Sequence, residues 1–116
     1  NIKKDSVGAI VTETYLGPQR GNFDIKKISA ELVVLYNQTI REMAQVLKLG
    51  GRAVVALPVF VHNGRSQLLS IDIKPFKLVN IIPKNTMISL GITERGTFLY
   101  GRSDQKIWRE IIVLEK

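Results

Sequence analysis

The stretch that decides the fold is Ala9 to Gly21, AIVTETYLGPQRG. It opens as a short apolar run and passes directly into a polar loop that holds Gly17, Pro18 and Gly21. Val7 to Val11 is mostly small or β-branched, without polar alternation, which predicts a strand buried on both faces, as in a parallel sheet. The Gly and Pro residues that follow are those that punctuate regular structure. A long amphipathic segment comes next, so the order is strand, loop, helix. Open α/β sheets are built from that unit and collect their chemistry at the carboxyl ends of strands. An active-site loop in this chain is therefore expected at Thr12 to Gly21.

Asp24 is suited to cap a helix start. From there Ile28, Leu32, Leu35 with Tyr36, Ile40, Met43 and Leu47 recur in steps of three and four, the signature of one helix face over about 25–48. Gly50 is expected as a left-handed helix C-cap, with Gly51 extending the turn. Arg52 to Phe60, RAVVALPVF, reads as a second buried strand, and His62 to Arg65 as a loop. Ser66 to Ile73 predicts a short helix, broken at Lys74-Pro75 because the residue before proline avoids the helical region. Phe76 to Ile82 alternates as a strand. Pro83 to Gly96 is a connection with a helical turn at Met87 to Leu90. Thr97 to Tyr100 and Trp108 to Leu114 are the last strands, with a turn at Gly101 to Asp104. Two strands joined by a helix should be parallel, with a right-handed connection. Those joined by loops should be antiparallel. The expected fold is α/β, one mixed sheet with an antiparallel end.

Composition bounds the rest. At 116 residues the chain is at most one domain, with 45% hydrophobic and 23% charged residues, ordinary globular values. Cysteine is absent, which excludes disulfides, thiolate metal sites and a thiol nucleophile, and suits a reducing, cytoplasmic setting. Neither an apolar run of membrane-spanning length nor a signal-peptide pattern occurs, so no membrane partner is expected. The net charge of +7 and pI of about 9.9 point to a polyanionic partner, nucleic acid first. The excess is spread out: eight Lys/Arg against five Asp/Glu over residues 1–61, and nine against five over 62–116. A solvated basic surface is the competing explanation. The chain opens NIKKDSVG, without an initiator Met, and enters a strand almost at once, as expected of a piece of something longer.

Three segments carry a family resemblance: AIVTETYLGP (9–18), QVLKLGGRAVVALP (45–58) and GTFLYGRSDQKIWREIIVLEK (96–116). Together they resemble the C-terminal half of class I S-adenosylmethionine-dependent methyltransferases, and most closely the RNA methylase family that includes tRNA guanosine N2-methyltransferases and relatives labelled DNA methylases. The VLK-x-GG-R segment is shared by many class I enzymes; the first and last segments narrow the match. The resemblance implies a partial Rossmann-like sheet, strands four to seven of seven, in a single partial domain over 1–116. It implies S-adenosylmethionine as cofactor and RNA, ahead of DNA, as substrate.

In that family the fourth strand ends in an Asp/Asn-Pro-Pro-Tyr/Phe tetrad whose side-chain oxygen and backbone carbonyl orient the amino group being methylated, while the aromatic ring stacks on the base. An aromatic amine is a poor nucleophile, so orientation and an extruded, stacked base are what the chemistry requires. The matching tetrad here is Thr12-Glu13-Thr14-Tyr15. Tyr15 keeps the aromatic, Thr12 stands at the first acceptor with Glu13 as its substitute, and Thr14 replaces a proline. These imply catalytic roles for Thr12, Glu13 and Tyr15 and substrate contacts for Thr14, Leu16, Gly17 and Pro18. A competing role for Tyr15 is simply to close the strand and pack on the helix.

The family's Gly-rich turn after its first strand and the acidic residue closing its second have no counterpart in this chain. Alone, these residues are not expected to complete a cofactor site. Either the chain is a truncated product or it docks with a chain carrying the first half. The first strand would then have an unpaired edge, an invitation to self-association. The rival expectation is a non-catalytic Rossmann-like module for nucleic-acid binding or assembly. Elsewhere, His62 is the sole histidine and reads as a solvated loop residue. Asp72, Glu94 and Asp104 are isolated, against paired-carboxylate hydrolysis. Arg95, Arg102, Lys106 and Arg109 flank the last hairpin and are candidates for phosphate contact, with a cross-strand pair for Arg109 as the alternative. Trp108 reads as core.

Overall fold

A 16-residue strand, β2 (Leu47–His62), forms the spine of the fold. The computed structural model describes residues 1–18, 21–83 and 91–116. Its remaining elements are β1 (Val7–Glu13), α1 (Ile25–Val46), β3 (Arg65–Gln67), β4 (Lys77–Leu78), β5 (Phe98–Tyr100) and β6 (Ile107–Glu115). The sheet runs β1-β2-β6-β4, with β3 on β2 and β5 on β6. β1 and β2 are parallel, with Ile10 opposite Ala53 and Glu13 opposite Ala56. β6 lies antiparallel to β2, β4 and β5. The fold is thus mixed α/β with an antiparallel end, as the connections predict.

The helix forms where its capping chemistry allows. Asp24 Oδ1 accepts from the Lys26 and Lys27 amides at 3.0 and 3.3 Å, relieving donors that have no partner inside the helix. Its buried stripe is Leu32, Tyr36, Ile40, Met43 and Ala44, packed over Ala53, Val55 and Leu57 of β2. Leu35 is 41% exposed and lies outside this stripe, correcting the periodicity: Tyr36, the neighbouring position, takes the core place.

Gly50 is not a helix cap. The helix ends at Val46, Leu47 is already extended, and Gly50, at φ 80°, lies within β2. There Val7 faces Leu47 but Ala9 faces Arg52, so β2 carries extra residues opposite β1. Gly50 supplies the left-handed turn that this bulge requires. A side chain at Gly51 would come within 3.0 Å of the Gly8 carbonyl, so the two strands approach closely there. Lys116 does the capping: its Nζ donates to the Ala44 and Leu47 carbonyls at 2.5 and 2.7 Å and to Asp5 at 2.7 Å.

Two further expectations change. Residues 66–73 form no helix; Arg65–Gln67 instead returns along β2. Asn63 and Gly64, with φ of 51° and 73°, provide the paired left-handed residues of a tight hairpin turn, and that turn chemistry overrides the apolar spacing. β1 is not buried on both faces. It is an edge strand of this sheet, and Val11 is 80% exposed on the face that has no helix. The strand expected over 76–82 is reduced to Lys77–Leu78, continued by a bond from the Val79 amide to Val113 O. The turn expected at Met87 to Leu90 lies outside the described residues.

Among the described residues, one charged group is wholly buried. Glu110 is 0% exposed, opposite Leu57 on β6. Arg95 binds it through two nitrogens at 2.6 and 2.7 Å and also donates to Leu69 O; Thr97 Oγ1 completes its coordination. A buried carboxylate is tolerable only when its lone pairs are filled in this way.

Candidate active site

Parallel pairing brings the carboxyl ends of β1 and β2 to one edge of the sheet. The chain leaves β1 at Glu13 and reaches the helix cap at Asp24, and the described residues between them, 14–18 and 21–23, lie along that edge. Its anchor is Tyr36. The phenol is fully buried and donates to the Tyr15 carbonyl at 3.0 Å, with a longer 3.5 Å contact to Ala56 O. Burial pushes the Tyr36 phenol above its ordinary pKa, and the nearby Glu13 carboxylate adds to the rise. The Thr14 hydroxyl is buried without a partner in hydrogen-bonding geometry, though it lies close enough to the Tyr36 phenol to oppose that rise.

The anchored loop turns Tyr15 outward and the residues after it inward. Leu16 is a core residue, and Gly17 is buried at φ 94°, backed by Leu32, Ile28 and Phe60. Pro18 is half-buried. The Tyr15 side chain is 61% exposed, although its own carbonyl is held from beneath. Most of the residue is therefore open to solvent instead of closing over the core. Thr12 is half-buried, opposite Val55.

Glu13 is committed elsewhere. Arg109 Nε and one terminal nitrogen reach its two carboxylate oxygens at 2.5 and 3.2 Å. The pair spans β2, because Glu13 faces Ala56 while Arg109 faces Pro58. Arg109's hydrogen bond holds the Glu13 carboxyl below its ordinary pKa, and Glu13 in turn raises that of Arg109.

The cations flanking the last hairpin divide sharply. Arg95 is bound to Glu110, Arg109 to Glu13, and Arg102 is 3.8 Å from Asp104 at the surface. Arg95 and Arg109 thus have carboxylate partners rather than free heads for phosphate. Lys106 is exposed and forms no ion pair among the described residues. Trp108 is half-buried, donating from its indole to Gln105 O at 3.1 Å. No group of three metal-ligating side chains occurs among the described residues, and no helix among them is long and apolar enough to cross a membrane.

Sequence reasoning found the loop and offered a cross-strand pair for Arg109, but found neither its partner Glu13 nor the Tyr36 anchor. Tyr36 was readable only as an apolar-face residue, although a buried tyrosine usually needs a hydrogen-bond partner. Glu13 and Arg109 are 96 positions apart, and no local pattern joins them. Compared with protein-family models, curated proteins and solved structures, the chain matches none of them.

Proposed function

We propose that this chain is the substrate-loop half of an S-adenosylmethionine-dependent methyltransferase acting on a base amino group in nucleic acid, RNA ahead of DNA. One observation carries the reading: at the carboxyl edge of a parallel strand pair, a buried tyrosine fixes the backbone of Tyr15 and leaves its ring exposed. Such a ring can receive an extruded base, and its rigid backbone limits the entropy lost in doing so. Tyr15 is the stacking residue and Thr12 the acceptor that orients the amine. Glu13 serves less as an acceptor than as the group that, with Arg109, fixes the end of β1. The strand arrangement is also in keeping with the reading: a parallel pair joined by a helix, then an antiparallel end.

The cofactor is a separate matter. Among the described residues, the acidic side chain closing β1 is already paired with Arg109, and β2 closes in His62 and the Asn63-Gly64 turn. These residues do not fit S-adenosylmethionine on their own, so no step is assigned to it here. The open edge of β1 is where strands carrying the donor would pair, and in their absence a second copy is the natural occupant.

The departures Thr14 and the Glu13–Arg109 pair favour a second reading, a non-catalytic nucleic-acid-binding or assembly module. Calorimetry with S-adenosylmethionine and fluorescence anisotropy with a labelled single-stranded 12-nucleotide RNA test both. The first reading expects no cofactor binding by the chain alone and RNA affinity reduced roughly tenfold or more by Tyr15→Ala, the usual scale of lost base stacking. Tight cofactor binding would overturn the assignment of the donor to other strands. Unchanged RNA affinity in Tyr15→Ala would leave only the second reading.

A further inference from the structure

A cleft of about 380 Å³ opens between the start of α1 and the far end of β2. That volume falls at the lower end of the range for small-ligand sites. Its walls come from three places: Asn22 and Phe23 at the tail of the candidate loop, Phe60, His62 and Asn63 at the end of β2, and Lys106 just before β6. Phe23 and Phe60 lie 6.0 Å apart between ring centroids, tilted at 59°. Phe60 is buried and forms the floor, whereas Phe23 is half-buried and offers part of its ring. Phe60 also backs Gly17, so the cleft and the Tyr15 loop share a wall.

The chemistry of the lining is selective. Among the described residues, Lys106 is the only charged one lining it, and no carboxylate does. The Lys106 backbone is fixed to β2 by a bond from the Val61 amide to its carbonyl at 2.9 Å, so its side chain starts from the rim of the cleft. Arg65, opposite His62 in the β2–β3 register, is a second exposed cation without an ion pair among the described residues. Asp24 already accepts from the first free amides of α1, so an anion here would be met by Lys106 and not by the helix. His62 and Asn63 are exposed polar groups able to meet the edge of a base. An aromatic wall, an amide and an imidazole at the lip, and an uncompensated cation describe a site for one nucleotide. They do not describe a site for a cationic sulfonium compound, which would call for a carboxylate.

We propose that this cleft receives a nucleotide neighbouring the target base, its base against Phe23 and its phosphate at Lys106. The proposal deepens the methyltransferase reading and rests on it for the word "neighbouring". The cleft turns His62 from a bystander into a contact for base edges, and it extends the substrate path from Tyr15 past Phe60 to the β2–β3 turn.

The test is anisotropy with the same labelled single-stranded 12-nucleotide RNA across a salt series, using Phe23→Ala, Phe23→Leu, Lys106→Met and Tyr15→Ala. Phe23→Leu keeps an apolar contact with Phe60 and removes the stacking face, and circular dichroism confirms that each variant is folded. Phe23→Ala and Phe23→Leu should weaken binding roughly tenfold, and Lys106→Met should lower the log–log salt slope by about 0.7, one phosphate contact on a single strand. Loss of affinity in Tyr15→Ala alone, with Phe23 and Lys106 variants unchanged, overturns the cleft and leaves the loop reading standing. Loss in the Phe23 and Lys106 variants alone keeps a nucleotide cleft and overturns the loop reading. No binding by the unaltered chain at tens of micromolar overturns both.

Discussion

Tyr36 on the helix holds the main-chain carbonyl of Tyr15 at 3.0 Å, and so joins the core to the loop at the sheet edge. The bond runs from a side chain with no solvent exposure to the backbone of one whose own ring is mostly exposed. Removing the hydroxyl leaves the ring to pack but frees the loop. Tyr36→Phe should cost about 1–2 kcal/mol by denaturant unfolding, since a partly buried carbonyl loses its donor. Amide exchange around Tyr15 should accelerate more than exchange in β2. Uniform acceleration would show that the bond is not the loop's anchor.

Acid should loosen the same region through a different contact. Glu13's pKa is depressed by Arg109, so its stabilising contribution is present above the ordinary carboxylate value of 4.5 and is lost as pH falls through the folded value. The unaltered chain should lose thermal stability below about pH 4.5 more steeply than Arg109→Met, which has no such pair to lose. Parallel acid profiles would remove the pair from the account. Glu13 is half-exposed, so the effect should also shrink with added salt.

Alkali tests Tyr36 from the other side. Its phenol is raised above the ordinary 10.0, so its contribution is full below that value and declines as pH rises through the folded pKa. Unfolding should set in above about pH 10 in the unaltered chain and less steeply in Tyr36→Phe, as followed by far-ultraviolet circular dichroism.

The Arg95–Glu110 pair is the most consequential buried contact. Arg95→Met leaves Glu110 as an unpaired carboxylate in the core and should cost about 3–5 kcal/mol. The double change Arg95→Met with Glu110→Gln should recover part of that loss, because no charge is stranded. Equal destabilisation of the single and double variants would place the cost in packing instead of charge.

Gly101 offers a test of the closing hairpin. A β-carbon there would fall on the Trp108 ring, 2.1 Å from its nearest atom. Gly101→Ala should therefore destabilise by about 1–3 kcal/mol and shift the emission of the single tryptophan. Trp108→Leu in the same background should relieve the clash. Unchanged emission in Gly101→Ala would show that the ring is not against this glycine.

Much of the architecture was legible because it is encoded locally. Leu32, Tyr36, Ile40 and Met43 repeat with the helix, Asp24 caps it, and a helix between two apolar strands makes those strands parallel. The misreadings at Gly50 and Ser66 to Ile73 share one physical cause. A glycine can serve a helix end or a strand bulge with the same positive φ, and Leu68, Leu69, Ile71 and Ile73 fit more than one period. Pairing with β1 decided the first, and the Asn63-Gly64 turn decided the second.

The amino-acid sequence by itself determined α1, the two strands it joins, the last strand, the candidate loop from Thr12 to Gly21 and the aromatic at its centre. Only the tertiary structure decided which of those residues are available. It committed Glu13 to Arg109, Arg95 to Glu110 and the Tyr15 carbonyl to Tyr36, and it left the Tyr15 ring and Lys106 exposed. The reason is distance along the chain. Contacts between residues 15, 21 and 96 positions apart depend on strand order, register and helix placement, which a local reading of residue types does not contain.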